Sequence, residues 1–337
     1  MKISMIHGAG GEGMGEVLDL LSNLSHTKTS GMGSIGLEAL DDGAVIPIGK
    51  NGEHKIVFTT DSHVVRPLFF PGGDIGRISI AGTVNDLAVM GAKPLALSCG
   101  MIIEEGFDFD DLRKILSSMD AALGEVDAAL VTGDTKVVER GSADGIIINT
   151  AGIGIAEKVV TDAGLRVGDL IIVSGTLGDH GISILATREG FDLGDQMTSD
   201  VAPIYGLVAA AMTAGDVHAM KDPTRGGFAN AINEMARKAG VQIRIDETQL
   251  PIKKAVRSAA AVLGIDPLEV ANEGKVVMGV AQEDAQAVLE AIRSHPYGKD
   301  AEICGRVVEG KSVIMETVAG GERFIEPPLG DPVPRVC

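Results

Sequence analysis

Apolar and polar residues alternate along the chain with two periodicities, and together these predict an α/β fold. Short β-rich runs at residues 55–60 and 94–103 flank an amphipathic helical stretch at residues 75–90. A second helix with acidic residues at its start is predicted next, followed by two strands, at residues 110–123, 128–132 and 145–155. These elements form a predicted first domain over residues 1–158.

The same alternation begins again in the second half of the chain. A buried strand that enters a glycine turn is predicted first and then a helix, at residues 168–175 and 181–189. Helices and strands continue to alternate, with helices at residues 230–239, 253–263 and 283–294 and strands at residues 242–245 and 276–280. We therefore predict a second α/β domain over residues 159–318. Residues 319–337 contain four prolines and are predicted to be an extended, mobile tail.

The composition of the chain argues against several classes of function. The formal charge of −18 and the 3% aromatic content, with no Trp, argue against a nucleic-acid-binding protein. Three separated cysteines suggest neither a disulfide framework nor a zinc site. The longest apolar stretch, residues 145–156, is too short for a membrane span, and the N-terminus lacks the apolar region of a secretory signal. We expect a cytoplasmic protein.

Two glycine-rich segments match the spacing of a dinucleotide-binding turn. They lie at residues 8–13 and 31–36. The first follows only a very short strand candidate, and no second strand follows its helix, which argues against a Rossmann fold. Flexible coil and a lid whose backbone N–H groups meet phosphate oxygens are the two remaining interpretations.

Acidic residues recur at the ends of predicted strands and in the loops that follow them. The candidates are Asp42, Asp61, Asp86 and Asp134. Each alone is more typical of a turn or a helix cap. If they converge, their mutual repulsion requires a cation, and an all-oxygen ligand set favours Mg²⁺ bridging to nucleotide phosphates.

Two further loops carry candidate chemistry. Residues 221–227 precede a helix, so Arg225 and backbone donors could lie at a phosphate, and a glycine-capped turn is the alternative. Residues 271–275 place Asn272 and Glu273 before a strand, although a lone loop glutamate is usually solvated.

The chain ends in a cysteine, Cys337. Prenylation requires three residues after the modified cysteine, and here none follows. Arg335 would lower the thiol pKa and the terminal carboxylate would raise it, so reactivity depends on the surrounding site. Accidental exposure of this thiol is the alternative.

The motifs, taken in order, resemble the HypE family of hydrogenase-maturation proteins, within the aminoimidazole ribonucleotide synthetase-like (PurM) superfamily. The resemblance rests on HGAGG at residue 7, DDGA at 41, TDSH at 60, NDLAVMGA at 85, GDTK at 133, DPTRGG at 222 and PRVC at 334. It covers the whole chain, and the terminal motif is what distinguishes HypE within the superfamily.

The resemblance implies a two-domain PurM-like fold, a homodimer whose N-terminal sheets pair into a barrel, and ATP bound between the domains. It also implies a reaction, in which the carbamoyltransferase HypF loads a carbamoyl group onto Cys337. ATP-dependent dehydration then yields a thiocyanate, and the HypC-HypD complex receives the cyanide for the iron of [NiFe] hydrogenase.

The resemblance also assigns site residues. It places Asp42, Asp61, Asp86 and Asp134 at Mg²⁺ and the nucleotide phosphates, and it adds Asp222 and Asn272 on the C-terminal side. Cys337 carries the reacting group. Glu273 is expected to act as the base on the carbamoyl nitrogen, and Lys136 to position it or the developing phosphate.

Two alternatives stay open at this stage. A thiamine-phosphate kinase or a selenophosphate synthetase of the same superfamily would share the aspartates without needing a terminal thiol. A selenophosphate synthetase would also need a reactive cysteine near the N-terminus, and none precedes Cys99. A non-enzymatic acidic scaffold that uses Cys337 for docking would neither hydrolyse ATP nor dehydrate its tail.

Overall fold

The computed structural model describes residues 3–4, 11–24, 33–191, 197–328, 330 and 332–337. The first domain contains β1 (Ala44–Ile48), β2 (His54–His63), β3 (Phe69–Phe70), β4 (Gly73–Asp74), β5 (Lys93–Glu104), β6 (Ala129–Val138) and β7 (Ile146–Ala156). Its helices are α1 (Gly11–Ser22), α2 (Ile75–Val89) and α3 (Phe109–Val126). Five strands form one sheet in the order β1-β2-β7-β5-β6, and only the β5–β6 pair is parallel.

Helix α2 is the central packing element of the first domain. It begins at Asp74, whose side chain accepts hydrogen bonds from the N–H groups of Gly76 (2.7 Å) and Arg77 (3.0 Å). All of its residues except Arg77 and Asp86 are buried. The prediction that this helix is amphipathic is therefore wrong, because α2 is covered by the first sheet on one side and by the second domain on the other.

The second domain is a sheet covered by helices on both faces. Its strands are β8 (Leu170–Val173), β9 (Val217–Lys221), β10 (Gln242–Asp246), β11 (Val277–Val280), β12 (Glu302–Val308), β13 (Val313–Glu316) and β14 (Glu322–Phe324). Its helices are α4 (Asp179–Arg188), α5 (Tyr205–Ala214), α6 (Gly227–Ala239), α7 (Lys254–Leu263) and α8 (Ala285–Arg293). The strand order is β14-β13-β10-β12-β8-β11-β9. Helices α5 and α8 pack on one face and α6 on the other.

The helices and strands predicted from periodicity are confirmed with small changes at their ends, except that β6 extends six residues beyond the predicted end at residue 132. Helix α5 and seven strands, β1, β3, β4, β9, β12, β13 and β14, were not predicted. Strand β14 pairs with β13, so the second sheet continues beyond the predicted boundary at residue 318. Among the described residues, no helix is long and apolar enough to cross a membrane.

The end of the chain is docked, which differs from the expected mobile tail. Val333 and Val336 are each only 1% exposed and pack in the same apolar cluster as α2, α4 and α7. Docking costs chain entropy, and the prolines make this cost smaller. Burial of the two valine side chains and hydrogen bonding of the tail backbone offset the rest.

Phe228 should be the residue whose truncation most weakens the second domain. It is fully buried on α6, so Phe228→Ala is expected to lower the free energy of unfolding by roughly 3–5 kcal/mol through lost contacts and a cavity. Urea unfolding followed by circular dichroism measures this. The matched control is Phe109→Ala, at a phenylalanine that is 68% exposed, expected to cost less than about 1 kcal/mol; equal losses would contradict the packing argument.

Candidate active site

Asp61 and Asp86 meet where α2 crosses the buried face of the first sheet. A Cβ atom on Gly82 of α2 would lie only 2.8 Å from the Oδ2 atom of Asp61, so glycine permits this close approach. The Thr59 hydroxyl lies 2.8 Å from the Asp86 Oδ2 atom and 2.9 Å from the Asp42 carbonyl oxygen. The loop before β1, strand β2 and helix α2 thus bring three of the predicted aspartates to one place.

Lys221, at the end of β9, links the two domains through Asp42. Its Nζ atom lies 2.6 Å from Asp42 Oδ1, 3.3 Å from Glu234 and 3.5 Å from Asp162. Lys238 also contacts Asp162, at 2.6 Å. The Lys221 side chain is only 10% exposed, so this ion-pair network lies inside the domain junction and fixes the position of Asp42.

The carboxylates at the junction repel one another. Burial, then repulsion from Asp42, raises the pKa of Asp222 to about 7. Burial, then repulsion from Asp222, Asp61 and Asp42, raises the pKa of Asp86 well above its ordinary value. A hydroxyl carries one hydrogen, so Thr59 cannot donate to both of its neighbours at once. A protonated Asp86 that donates to Thr59 satisfies this geometry and agrees with its raised pKa.

Glu273 and Arg225 lie on the second-domain side of the same cleft. Glu273 is 2% exposed, and no hydrogen bond is made to its Oε1 atom. Burial, then repulsion from Asp61, Asp222 and Asp200, raises the pKa of Glu273 well above its ordinary value. Burial opposes the charge of Arg225, but the negative charges of Cys337, Asp61, Asp86 and Glu273 outweigh it and raise the pKa of Arg225. The guanidinium is therefore the positive centre toward which these groups converge.

Asn272 joins the loops that border this cleft through hydrogen bonds. Its Oδ1 atom accepts a hydrogen bond from the Gly178 N–H (2.8 Å), and its Nδ2 atom donates to the carbonyl oxygens of Val270 and Pro223 (3.2 and 3.4 Å). These bonds join three loops that border the site. Most of its hydrogen-bonding capacity is used inside the protein, so a direct nucleotide contact by Asn272 stays a prediction.

The tail brings Cys337 to this cleft. The Val64 N–H, just after β2, donates a hydrogen bond to the Cys337 carbonyl oxygen at 3.0 Å. The charge at Cys337 is also the largest attractive contribution to the raised pKa of Arg225. The chain end therefore lies close to Arg225, the guanidinium on which Asp61 and Glu273 also act.

Asp134 and Lys136 lie apart from the cluster within one chain, contrary to the predicted convergence. They form a surface ion pair of 2.8 Å on β6 with side chains 69% and 68% exposed. In the sheet, Asp134 of β6 lies opposite Gly100 of β5. The row of residues that starts at Asp61 and crosses β7 and β5 ends at Gly133, one residue before Asp134. Three strand spacings, about 14 Å, and the alternation of faces separate Asp134 from Asp61. The sequence indicated both as loop residues, but both belong to an edge strand.

A preformed metal centre is not seen. Across the described ranges, no three His, Cys, Asp or Glu side chains are arranged to hold an ion by themselves. The residues nevertheless fit a cation bound jointly with a ligand, since the buried Asp42 Oδ2 atom has no hydrogen-bond partner and Asp86 and Asp222 repel each other. Of the predicted glycine lid, residues 8–10 and 31–32 lie outside the described residues, whereas residues 11–13 begin α1 and residues 33–36 precede β1.

Sequence reasoning missed Lys221, Asp162, Asp200 and Lys275. Asp200 accepts a hydrogen bond from the Glu273 N–H (3.0 Å) and forms a 3.0 Å ion pair with Lys275. Lys221 and Lys275 lie at the ends of the two candidate loops, residues 221–227 and 271–275, but neither lysine was assigned a role from sequence. Their roles depend on partners far away in sequence, so local patterns carried no signal for them.

The two domains and the cleft between them define an AIR synthase-related protein. The family profile described as AIR synthase related protein, N-terminal domain, matches residues 40–156, and the one described as C-terminal domain matches residues 166–317. The chain is 53% identical, over all of both chains, to a protein of Methanocaldococcus jannaschii assigned to hydrogenase expression and formation. It is 43% identical to the carbamoyl dehydratase HypE of Azotobacter vinelandii, over 100% of this chain and 97% of that one. Within the AIR synthase-related proteins, the chain belongs to the HypE family.

Solved structures agree with this assignment. The fold matches a chain of a HypE-HypF complex with a TM-score of 0.86 and 43% identity, over 94% of this chain and 100% of that one. It also matches a HypE structure in complex with ATP, with a TM-score of 0.82 and 37% identity over all of both chains.

Asp222→Asn should stabilise the protein without nucleotide or divalent cations, and more so at high pH. Because the pKa of Asp222 is about 7 in the folded chain and ordinarily 3.8, the folded chain holds an extra proton between these values. Its stability therefore falls as pH rises from about 4 to 7. The variant should gain roughly 1–3 kcal/mol of unfolding free energy at pH 8 and much less at pH 5.

Urea unfolding at the two pH values measures this effect. The exposed Asp120→Asn variant is the control and should show no pH-dependent gain. An equal gain for Asp222→Asn at both pH values would show that Asp222 is not held above its ordinary pKa.

Proposed function

We propose that this protein uses ATP to dehydrate an S-carbamoyl group on its own Cys337 to a thiocyanate. The observation that carries this proposal is the docking of the chain end at Val64, where its charge acts on Arg225 in the cleft that also contains the buried Glu273. A scaffold has no need to hold its half-buried terminal cysteine at a cleft lined by ionisable groups. A small-molecule kinase of this fold has no need for the thiol.

The relatives support the same chemistry. The Azotobacter vinelandii relative is called a carbamoyl dehydratase, one solved HypE structure contains ATP, and another is a complex with HypF. For this chain we propose that HypF supplies the carbamoyl group and that the HypC-HypD complex accepts the cyanide for the iron of [NiFe] hydrogenase. The proposed compartment is the cytoplasm.

The reaction balances as a phosphorylation followed by an elimination. The carbamoyl oxygen attacks the terminal phosphorus of ATP and ADP leaves, which converts a poor leaving group into phosphate. The nitrogen then loses its two protons, the C–O bond breaks, phosphate departs and a C≡N bond remains on sulfur. The buried Glu273 carboxylate is the proposed base, because the surroundings that raise its pKa strengthen its attraction for a proton.

Arg225 and the aspartates hold the reacting groups in this proposal. The Arg225 guanidinium faces the developing negative charge on the carbamoyl oxygen and phosphate. Asp42, Asp61, Asp86 and Asp222 would hold Mg²⁺ together with the nucleotide phosphates, and the ion would supply charge neutralisation there. Lys221 keeps Asp42 in place through their 2.6 Å ion pair.

We propose a homodimer in which the first sheets of two subunits form a barrel. The sheet face opposite α2 exposes large apolar side chains such as Phe58 (40%), Ile102 (41%) and Ile155 (46%), and β6 is an exposed edge ten residues long. A second copy would cover both. Lys136 and Asp134 on that edge would then act at the partner's cleft, since neither reaches the cluster of its own chain.

Glu273→Gln should abolish dehydration and leave carbamoylation intact. Glutamine keeps the shape of the side chain but cannot accept a proton, so the rate should fall at least about 100-fold. The protein is incubated with HypF, carbamoyl phosphate and ATP and followed by intact-protein mass spectrometry. Wild-type protein should gain the carbamoyl mass and then lose one water in an ATP-dependent step.

Two controls accompany this experiment. Cys337→Ala should gain no mass, and chelation of Mg²⁺ should leave the carbamoylated form in place. A normal rate of water loss in Glu273→Gln would refute Glu273 as the base, and no change at Cys337 in the wild type despite ATP turnover would refute the proposed reaction.

Mixed dimers test whether Lys136 acts across the interface. Dimers of Lys136→Ala alone or of Glu273→Gln alone should be inactive. When both chains are co-expressed and associate at random, half of the dimers are mixed, and each mixed dimer has one site with both residues intact. The preparation should therefore recover about a quarter of the wild-type rate. No recovery despite mixed dimers detected by mass would place Lys136 in its own chain's site, and normal activity of the Lys136→Ala dimers would place it outside the reaction.

A further inference from the structure

The tail runs antiparallel to the segment that follows β2 and is joined to it by main-chain hydrogen bonds, although it is not a regular strand because Arg335 has a left-handed backbone (φ 59°). The Val64 N–H donates to the Cys337 carbonyl oxygen (3.0 Å), and the Arg66 N–H donates to the Arg335 carbonyl oxygen (3.2 Å). The Arg335 side chain donates back to the Val64 carbonyl oxygen (3.2 Å) and to Asp144 Oδ2 (2.7 Å). Main-chain pairing of this kind fixes a peptide in a defined register.

His180, on α4, holds the next carbonyl oxygen of the tail. The Val201 N–H donates to the Ser199 Oγ atom (3.0 Å), so the Ser199 hydrogen is free to point to His180 Nδ1 (2.7 Å). That leaves the proton of the neutral ring on Nε2, which donates to the Val336 carbonyl oxygen at 2.7 Å. Burial lowers the pKa of His180 and keeps the ring neutral.

Arg188, at the end of α4, joins the tail to the first domain. Its Nε atom donates to the Arg66 carbonyl oxygen (2.5 Å) and its Nη1 atom to the Pro334 carbonyl oxygen (2.6 Å). Its Nη2 atom donates to the Arg335 carbonyl oxygen. A guanidinium can serve three acceptors in fixed directions and a lysine cannot, so this contact depends on the shape of the group as well as on its charge.

We propose that His180 and Arg188 are positioning residues that bind the tail backbone and set its register, so that Cys337, and no neighbouring position, lies beside Arg225 in the cleft. The purpose of this register rests on the proposed function; the docking itself does not. Three consecutive carbonyl oxygens, those of Pro334, Arg335 and Val336, are held by the two side chains. Val333 and Val336 fill apolar positions that an offset of one residue would empty.

A shift of one residue would be costly for the chemistry. It moves the Cα atom of Cys337 by about 3.8 Å, the distance between consecutive Cα atoms, and takes the thiol out of its docked position. The two positioning residues therefore fix where Cys337 lies along the groove.

Alkylation of Cys337 by iodoacetamide, located by peptide mass spectrometry, tests the docking without any dehydration. Cys99 and Cys304 are buried in the same chain and report on global unfolding. Arg188→Lys and His180→Phe should each speed alkylation of Cys337 about tenfold, because each removes hydrogen bonds that hold the closed tail. Arg113→Lys, at an exposed arginine on α3, is the matched control and should leave the rate unchanged.

Equal Cys337 rates in the wild type and both variants would overturn the proposal. If His180→Phe also exposes Cys99 and Cys304, that variant has lost its fold, and Arg188→Lys at the half-buried surface position decides the question alone.

Two insertions test the register. One alanine inserted between Arg335 and Val336 should abolish ATP-dependent loss of water from the carbamoylated tail. The same alanine between Glu326 and Pro327, both exposed and outside the docked residues, should leave it within about twofold of wild type. Equal activity of the two insertions would refute register control. No dehydration in the wild type would instead refute the proposed function and leave the alkylation result to judge the positioning residues.

Discussion

The structure depends on one electrostatic constraint: several carboxylates are buried together where the two domains meet. Ionised carboxylates in such a place repel one another by several kcal/mol each unless cations or protons compensate. Lys221 compensates Asp42, Lys238 compensates Asp162, and Arg225 faces Asp61, Asp86 and Glu273. Burial, together with the negative charge that these cations leave uncompensated, raises the pKa values of Asp86, Asp222 and Glu273. This excess of negative charge at the junction favours binding of a ligand that brings cations with it.

The same constraint explains why the second domain is needed. The first sheet and α2 supply Asp61, Asp86 and His63, whose Nε2 atom lies 3.6 Å from Asp61 Oδ2, but burial lowers the pKa of His63. Lys221 and Arg225 come from β9 and the loop that follows it, and both reach across the junction. Each domain alone would leave uncompensated buried charge, so the cleft is stable only when the domains are packed together.

Sequence patterns located most elements and most of the cleft, since both depend on local signals. Periodicity predicted α3, α6, α7 and α8. The pattern of acidic residues at predicted strand ends and in loops indicated Asp42, Asp61 and Asp86, although Asp86 lies within α2. What escaped prediction depends on distant contacts. Burial of α2 on both sides follows from domain packing, and the separation of Asp134 from Asp61 follows from sheet order. Proline content suggested a mobile tail, because nothing local reveals the groove that receives Val333 and Val336.

The docked tail must still leave the cleft to receive its carbamoyl group. The effective concentration of a tethered chain end shows that both the docked and the released state are accessible. A flexible tether gives its end an effective concentration in the millimolar range. A groove with only micromolar intrinsic affinity would then keep the tail bound about 99.9% of the time. The hydrogen bonds from His180, Arg188, Val64 and Arg66 need supply no more than that. Opening would remain frequent on the timescale of loop motion, so a partner enzyme can capture the free thiol without any device that forces the cleft open.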